Sequence, residues 1–320
     1  MDMYQKRKMR QEKVKNENKE ENSKYNINWY PGHMAKTRRQ IIEDLRLIDV
    51  VIELLDARIP LSSRNPEIEK ITKGKKKIVL LNKCDLSDEG LNKAWVEYFK
   101  KQNIPALLTD SNSGNGIPNC LREIEKIMNE DLTKSSEKGR VGKKIRVMIL
   151  GIPNVGKSSF INRVAKKTSL EVANRPGVTK SKQWIRVNEK IELLDTPGVL
   201  WPKFENEEIA FNLAFTGTIK DDILERTEIA FNLIKALLNS KYKLNLCERY
   251  KLTEEEIEQI MQMPQNENTN IYEIMLLIGK KRGAIMSGGK IDEEKTARII
   301  LDDFRSGKLG KITLENPNTK

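Results

Sequence analysis

The strongest constraint on this chain is the stretch Gly151-Ile152-Pro153-Asn154-Val155-Gly156-Lys157-Ser158, because of what flanks it. An apolar run, Ile145 to Leu150, precedes it and reads as a buried parallel strand. Ser159-Phe160-Ile161-Asn162-Arg163-Val164 follows and reads as the start of a helix. A glycine loop ending in Lys-Ser between strand and helix has the context of a phosphate-binding loop. Gly151 and Gly156 let successive backbone N–H groups turn inward as an anion nest, and the helix N-terminus adds its partial positive charge. The predicted phosphate contacts are Asn154, Val155, Gly156, Lys157, Ser158 and Ser159, with the Lys157 ammonium on the β/γ-phosphates and the Ser158 hydroxyl on Mg²⁺. The plainer reading, a glycine turn beside an incidental lysine, leaves the rest of the pattern unexplained.

Two further motifs complete a constellation. In Asn82-Lys83-Cys84-Asp85, the Asp85 carboxylate can accept from the N1–H and N2–H₂ of guanine, which adenine does not offer. Asn82 can bond the other edge of the base, and the stem of Lys83 can lie over it. A site built to pair a polar edge rejects the analogue lacking it by about 10⁴ or more, so GTP or GDP is expected. In Asp195-Thr196-Pro197-Gly198, Asp195 is placed to hold a water on Mg²⁺ and the Gly198 N–H to meet the γ-phosphate. Thr179 reads as the switch threonine that closes over the same metal, and Ser111 as a contact to the base. The metal set is thus Ser158, Thr179 and Asp195, the last through water.

These motifs sit in a regular alternation. Val50 to Leu55, Lys77 to Leu81, Ala106 to Thr109 and Ile145 to Leu150 read as strands, and Ser181 to Val187 and Lys190 to Leu194 as a strand pair. Helices are expected at Ala35 to Leu47, Leu91 to Lys101 and Ile117 to Asn129, with Asp131 to Lys144 as a charged link. Such alternation predicts an α/β, doubly wound, mostly parallel sheet with its ligands at the carboxyl ends of the strands. Ordinary GTPases place the P-loop first and the Asn-Lys-x-Asp motif last. Here Asn82 to Asp85 precedes Gly151 to Ser158, so the G domain is circularly permuted. From Glu207 onward the pattern is helical, with Asp222 to Asn239, Thr253 to Met263, Ile271 to Lys281 and Asp292 to Arg305 as candidates. The expected division is a basic tail over residues 1–24, a permuted GTPase domain over 25–204 and a small all-α domain over 205–320.

Charge narrows the partners. The formal net charge of +12 calls for a polyanion, and nucleic acid fits better than a membrane surface, although a solvated lysine-rich surface is the plain alternative. No run approaches the roughly 18 apolar residues of a membrane span. Three scattered cysteines, Cys84, Cys120 and Cys247, suggest neither disulfides nor zinc, so a reducing cytoplasm is expected. Lys295, Arg298, Arg305, Lys308 and Lys311 gather around the last helix as a candidate RNA face.

Trp29-Tyr30-Pro31-Gly32-His33-Met34 carries the only histidine, which a Pro-Gly turn leaves open to reading as a surface residue or as a catalyst. This leader, the motif order, and the ending Phe304-Arg305-Ser306-Gly307-Lys308-Leu309-Gly310-Lys311 resemble the circularly permuted bacterial GTPases, most closely the ribosome biogenesis GTPase A family (the YlqF/RbgA type). The likeness spans about Ile27 to Glu315. It implies a factor acting late on the large ribosomal subunit precursor, a GTPase stimulated by that particle, and a helical domain that binds rRNA; separately, a monomer is expected. It also implies a catalytic role for His33, since Val199 stands where many GTPases place a water-orienting glutamine. Asn154 matches GTPases that take a K⁺ beside the phosphates, or it simply satisfies the loop backbone. An RNA-binding scaffold that uses GTP only as a clasp, or a translation or tRNA-related GTPase, are the competing readings.

Overall fold

The computed structural model describes residues 32–137, 143–167, 184–196, 198, 206–219 and 225–318. The strands are β1 (Val50–Asp56), β2 (Lys76–Asn82), β3 (Ala106–Leu108), β4 (Ile145–Leu150), β5 (Trp184–Arg186) and β6 (Ile191–Leu194). They form one sheet in the order β3-β2-β1-β4-β6-β5, parallel except for the β5–β6 pair. From the middle, the chain steps outward through β1, β2 and β3 to one edge, then restarts at β4, crosses to β5 at the other edge and returns through β6, which lies between them. The order reverses between β1 and β4, which pair in parallel from Val50↔Val147 to Glu53↔Leu150. That reversal is where an open α/β sheet binds its ligand. It also shows the permutation in space: strands that precede the P-loop strand in sequence fill the half of the sheet on its far side.

Apolar side chains alternate across the sheet, and helices cover both faces. Val50, Ile52 and Leu54 point to α4 (Ile117–Glu137) and α5 (Lys157–Lys167), where Ile124 and Phe160 meet them. Val51 lies with Ile41 of α1 (Gly32–Asp44) and Ile68 of α2 (Pro66–Ile71), and Leu55 with Trp95 and Phe99 of α3 (Glu89–Lys101). Covering on both sides explains why β1 is buried at all seven positions. Its one mid-strand charge, Glu53, lies 3.5 Å from Lys77 Nζ and 3.7 Å from Arg64 Nε. Burial pushes the Glu53 carboxyl up, and the two cations act against that rise.

The helical part comprises α6 (Glu207–Phe215), α7 (Arg226–Leu238), α8 (Lys243–Tyr250), α9 (Glu254–Met261), α10 (Glu267–Lys281) and α11 (Glu293–Arg305). Leu233, Leu237, Ile274, Ile278, Ile300 and Phe304 form its core. Thr253 and Glu256 form a capping box at the start of α9, made in both directions. The sequence does not single out α2 or α8, because helices of six and eight residues display too little period. It also ends α4 early: the helix continues through half of the expected link, held by a 2.8 Å Lys76–Asp131 ion pair and by Leu132 against the sheet core. Nor does residue 205 separate two cores. Ala210 and Leu213 of α6 belong to the sheet core, whereas Phe211, Ala214 and Phe215 belong to the helical one.

After α11 the chain returns to the sheet domain. Ile312 N–H donates to Leu86 O (3.0 Å) and Leu314 N–H to Arg58 O (2.8 Å). The Glu315 carboxylate, nearly buried, accepts from the N–H groups of Leu61 (2.6 Å) and Ser62 (2.8 Å) and from the Ser62 hydroxyl. Trp95 Nε1 donates to Glu315 O at 3.2 Å. Among the described residues, no helix is long and apolar enough to cross a membrane.

Candidate functional site

Every strand that leads into a motif delivers it at the same carboxyl edge. After β4, Gly151 runs so close to β1 that a Cβ there would sit 2.6 Å from Leu54 O. Gly156 turns at φ +103°, in the left-handed region that favours glycine, and a Cβ there would collide with the Asn82 amide nitrogen. Lys157 opens α5, and its buried ammonium donates to Gly151 O (3.0 Å) and Ile152 O (2.7 Å). Burial pulls its pKa down to about 8, with the Asp195 charge working in the opposite direction. Ser158 is exposed in the first turn of α5, and Ser159 is half-buried. The Val155 side chain packs into the sheet core, so that residue can offer a ligand only its backbone.

The Asn82 amide ties three loops together. Its Nδ2 donates to Val155 O at 2.8 Å, and its Oδ1 accepts from Ser111 N–H (3.0 Å) and the Ser111 hydroxyl (2.7 Å). The P-loop, the Asn-Lys-x-Asp loop and the loop after β3 are thereby held in one register. Asp85 is exposed beside them, its carboxyl raised by partial burial and by Asp110. Ser111 is itself buried, and its hydroxyl is spent on Asn82, which leaves it a support for the base-side loop. Lys83 adopts φ +59°, and its ammonium bridges Asn154 O (2.8 Å) and Asp56 Oδ2 (3.0 Å).

Beyond β6, the Thr196 hydroxyl donates to Ile149 O and pins the start of the Asp195-x-x-Gly198 loop to the P-loop strand. Gly198 comes so close that a Cβ there would lie 2.9 Å from both Lys157 Nζ and Pro153 N. Partial burial raises the Asp195 carboxyl and the Lys157 charge lowers it. Ser158 and Asp195 offer a metal one hydroxyl and one carboxylate, the hard oxygen donors that suit Mg²⁺. No group of three or more His, Cys, Asp or Glu side chains that could hold a metal ion occurs among the described residues.

The helical part reaches into this edge at two places that the sequence does not reveal. Asn154 Nδ2 donates to Gly217 O at 2.7 Å, from the P-loop to the turn after α6. Arg58, in the loop after β1, forms a buried pair with Asp56 at 2.8 Å and stacks on Phe304 of α11. The candidate RNA face is also redrawn. Arg305 donates to Ala214 O (2.8 Å) and Phe215 O (3.1 Å), closing the end of α6, and Lys311 pairs with Glu89 at 2.5 Å. Arg298 and Lys308 are exposed. Thr179, Val199 and the 1–24 tail lie outside the described residues. His33 falls in the first turn of α1 rather than in a loop, and its side chain likewise lies outside them.

A doubly wound sheet carrying these loops in this order defines a circularly permuted P-loop GTPase. Residues 146–278 match the family model described as 50S ribosome-binding GTPase. The ribosome biogenesis GTPase A of Bacillus cereus is 46% identical over 291 residues, covering 91% of this chain and 94% of its own length. That of Thermotoga maritima is 29% identical over 294 residues, covering 91% and 95%. Among solved structures, GNP-bound YlqF from T. maritima superposes with a TM-score of 0.59 at 26% identity, covering 88% of this chain and 98% of that one. The chain belongs to the ribosome biogenesis GTPase A family.

Proposed function

We propose that this protein binds GTP, hydrolyses it to GDP and phosphate, and uses the cycle in assembly of the large ribosomal subunit, on whose precursor and rRNA it acts. The observation that carries the reading is the Asn82 amide, which joins a phosphate-binding loop to the loop bearing Asp85. In this reading Asp85 selects guanine, and the Lys157 ammonium exchanges its two carbonyl partners for the β/γ-phosphates. Ser158, Asp195 and Thr179 would hold Mg²⁺, which when bound neutralises phosphate charge. The Gly198 N–H meets the γ-phosphate, and its closeness to Lys157 Nζ supports that role. Because Val199 has no group to orient water, we assign His33 as the general base, an imidazole being matched to neutral pH. The bond from Asn154 Nδ2 to Gly217 O leaves the Asn154 amide oxygen as the atom a K⁺ would take. Residues 205–320 supply the rRNA-binding surface.

Multiple-turnover phosphate release, with and without large-subunit precursors, tests this function. Turnover that rises with added precursor supports a ribosome-stimulated GTPase. Binding of GTP and precursor with no turnover in either condition would instead mark a scaffold that uses GTP as a clasp.

A further inference from the structure

Asp56 and Arg58 belong to none of the motifs above, yet they sit among them. Both are buried, at 2% and 1% exposure. Arg58 grips Asp56 as a fork, Nε to Oδ1 at 2.9 Å and Nη2 to Oδ2 at 2.8 Å. Such a bidentate pair satisfies both charges by itself. A second cation nevertheless shares the carboxylate, since Lys83 Nζ lies 3.0 Å from Asp56 Oδ2. The Lys83 side chain is 20% exposed, so a carboxylate that Arg58 already satisfies also anchors a lysine at the edge of the site. Lys83 also holds a left-handed backbone conformation that lysine rarely adopts, so its placement depends on what grips its ammonium.

The other side of Arg58 faces the helical part. Its Nη1 lies 3.5 Å from Phe304 O, and its guanidinium carbon lies 5.2 Å from the centre of the Phe304 ring. Its own carbonyl accepts from Leu314 N–H at 2.8 Å. One guanidinium therefore touches both α11 and the carboxylate that holds Lys83.

We propose that Asp56 is a positioning residue for the guanine end of the site, fixing Lys83 across the base pocket, and that Arg58 makes this hold depend on α11. Displacing α11 removes the ring and carbonyl that orient Arg58, the fork on Asp56 loosens, and Lys83 loses its anchor. Docking of the helical part thus sets nucleotide affinity from the base side, separately from any contact at the phosphates. The inference rests on the reading of Asn82-Lys83-x-Asp85 as the guanine site.

Titration of the full chain with fluorescent GDP tests it. Asp56→Asn and Lys83→Met should each weaken binding about tenfold, the scale for losing a charge-assisted contact. The double variant should be no weaker than the weaker single one, because both remove the same anchor. Phe304→Leu leaves both members of the Asp56–Arg58 pair in place but removes the ring that orients the guanidinium, and should weaken GDP about threefold in the native background, but not in the Lys83→Met background. Multiplied losses in the double variant, or an equal effect of Phe304→Leu in both backgrounds, would overturn the proposal. If Asp56→Asn does not fold, the Phe304→Leu and Lys83→Met pair decides alone. Asp85→Asn titrated with xanthosine diphosphate separates the two levels. Gain of that ligand alongside multiplied losses sinks only the present inference, whereas no gain removes the guanine-site reading and the inference with it.

Discussion

Replacing Glu315 with alanine should unlock the segment that brings the end of the chain back to the sheet domain. Its carboxylate accepts from the backbone N–H groups of Leu61 and Ser62, both close to the candidate site, and it is 8% exposed. Alanine orphans two donors that water reaches poorly, at about 1–3 kcal/mol each, so the expected loss is about 4 kcal/mol. The Ser62 hydroxyl can turn elsewhere and adds little, and the bond from Trp95 Nε1 to the Glu315 carbonyl survives because it involves only backbone. At about 2–4 °C per kcal/mol for a domain of 150–250 residues, the melting temperature should fall by about 8–16 °C. Glu315→Gln keeps one acceptor but turns an amide donor toward one of the N–H groups, so its loss should be about half as large. Calorimetry of the nucleotide-free protein measures both, and amide exchange at Leu61 and Ser62 localises the effect. A Glu315→Ala melting temperature within about 2 °C of the native one would refute the reasoning, as would equal losses for the two variants.

Asp85→Asn should weaken GTP and admit xanthosine triphosphate, because the amide donates where the carboxylate accepts; competition binding reads the exchange. Lys157 gives a pH dependence of definite sign. Its pKa is about 8 in the fold against 10.5 ordinarily, so between those values the unfolded chain binds more protons and stability rises with pH, the penalty being complete below about 8. Bound phosphate favours the ammonium, so GDP affinity should fall above pH ~8, by up to about tenfold per pH unit, and Lys157→Met should flatten both trends. His33→Ala should bind GTP and precursor normally while particle-stimulated phosphate release falls about 10²-fold, and equal stimulated rates would discard His33 as the base. Arg298→Glu with Lys308→Glu should reduce the log–log salt slope of precursor binding by about one unit per lost phosphate contact, without changing GTP affinity.

The strand-loop-helix setting of the proposed phosphate edge is legible in the sequence, because its chemistry is local. A nest of backbone N–H groups demands Gly151 and Gly156 at fixed spacing from Lys157, and strands covered on both faces must be nearly continuous apolar runs such as Val50 to Leu55. The permutation could be read as well, since it is an order of motifs. What tertiary structure alone decided are contacts between residues far apart in sequence whose types are common everywhere. Glu315 reaches Ser62 across 253 positions, Arg58 reaches Phe304 across 246, and Asn154 reaches Gly217 across 63. A glutamate near a chain end looks like any solvated glutamate until two backbone N–H groups are buried against it. An arginine in a helix that looks ready for RNA, Arg305, closes the end of α6 instead, because the carbonyls of Ala214 and Phe215 meet it there. The sequence singles out the groups proposed to bind phosphate and guanine. The demand that every buried donor, acceptor and charge find a partner is settled only when the two cores close on each other, and that closure joins the helical part to the nucleotide edge.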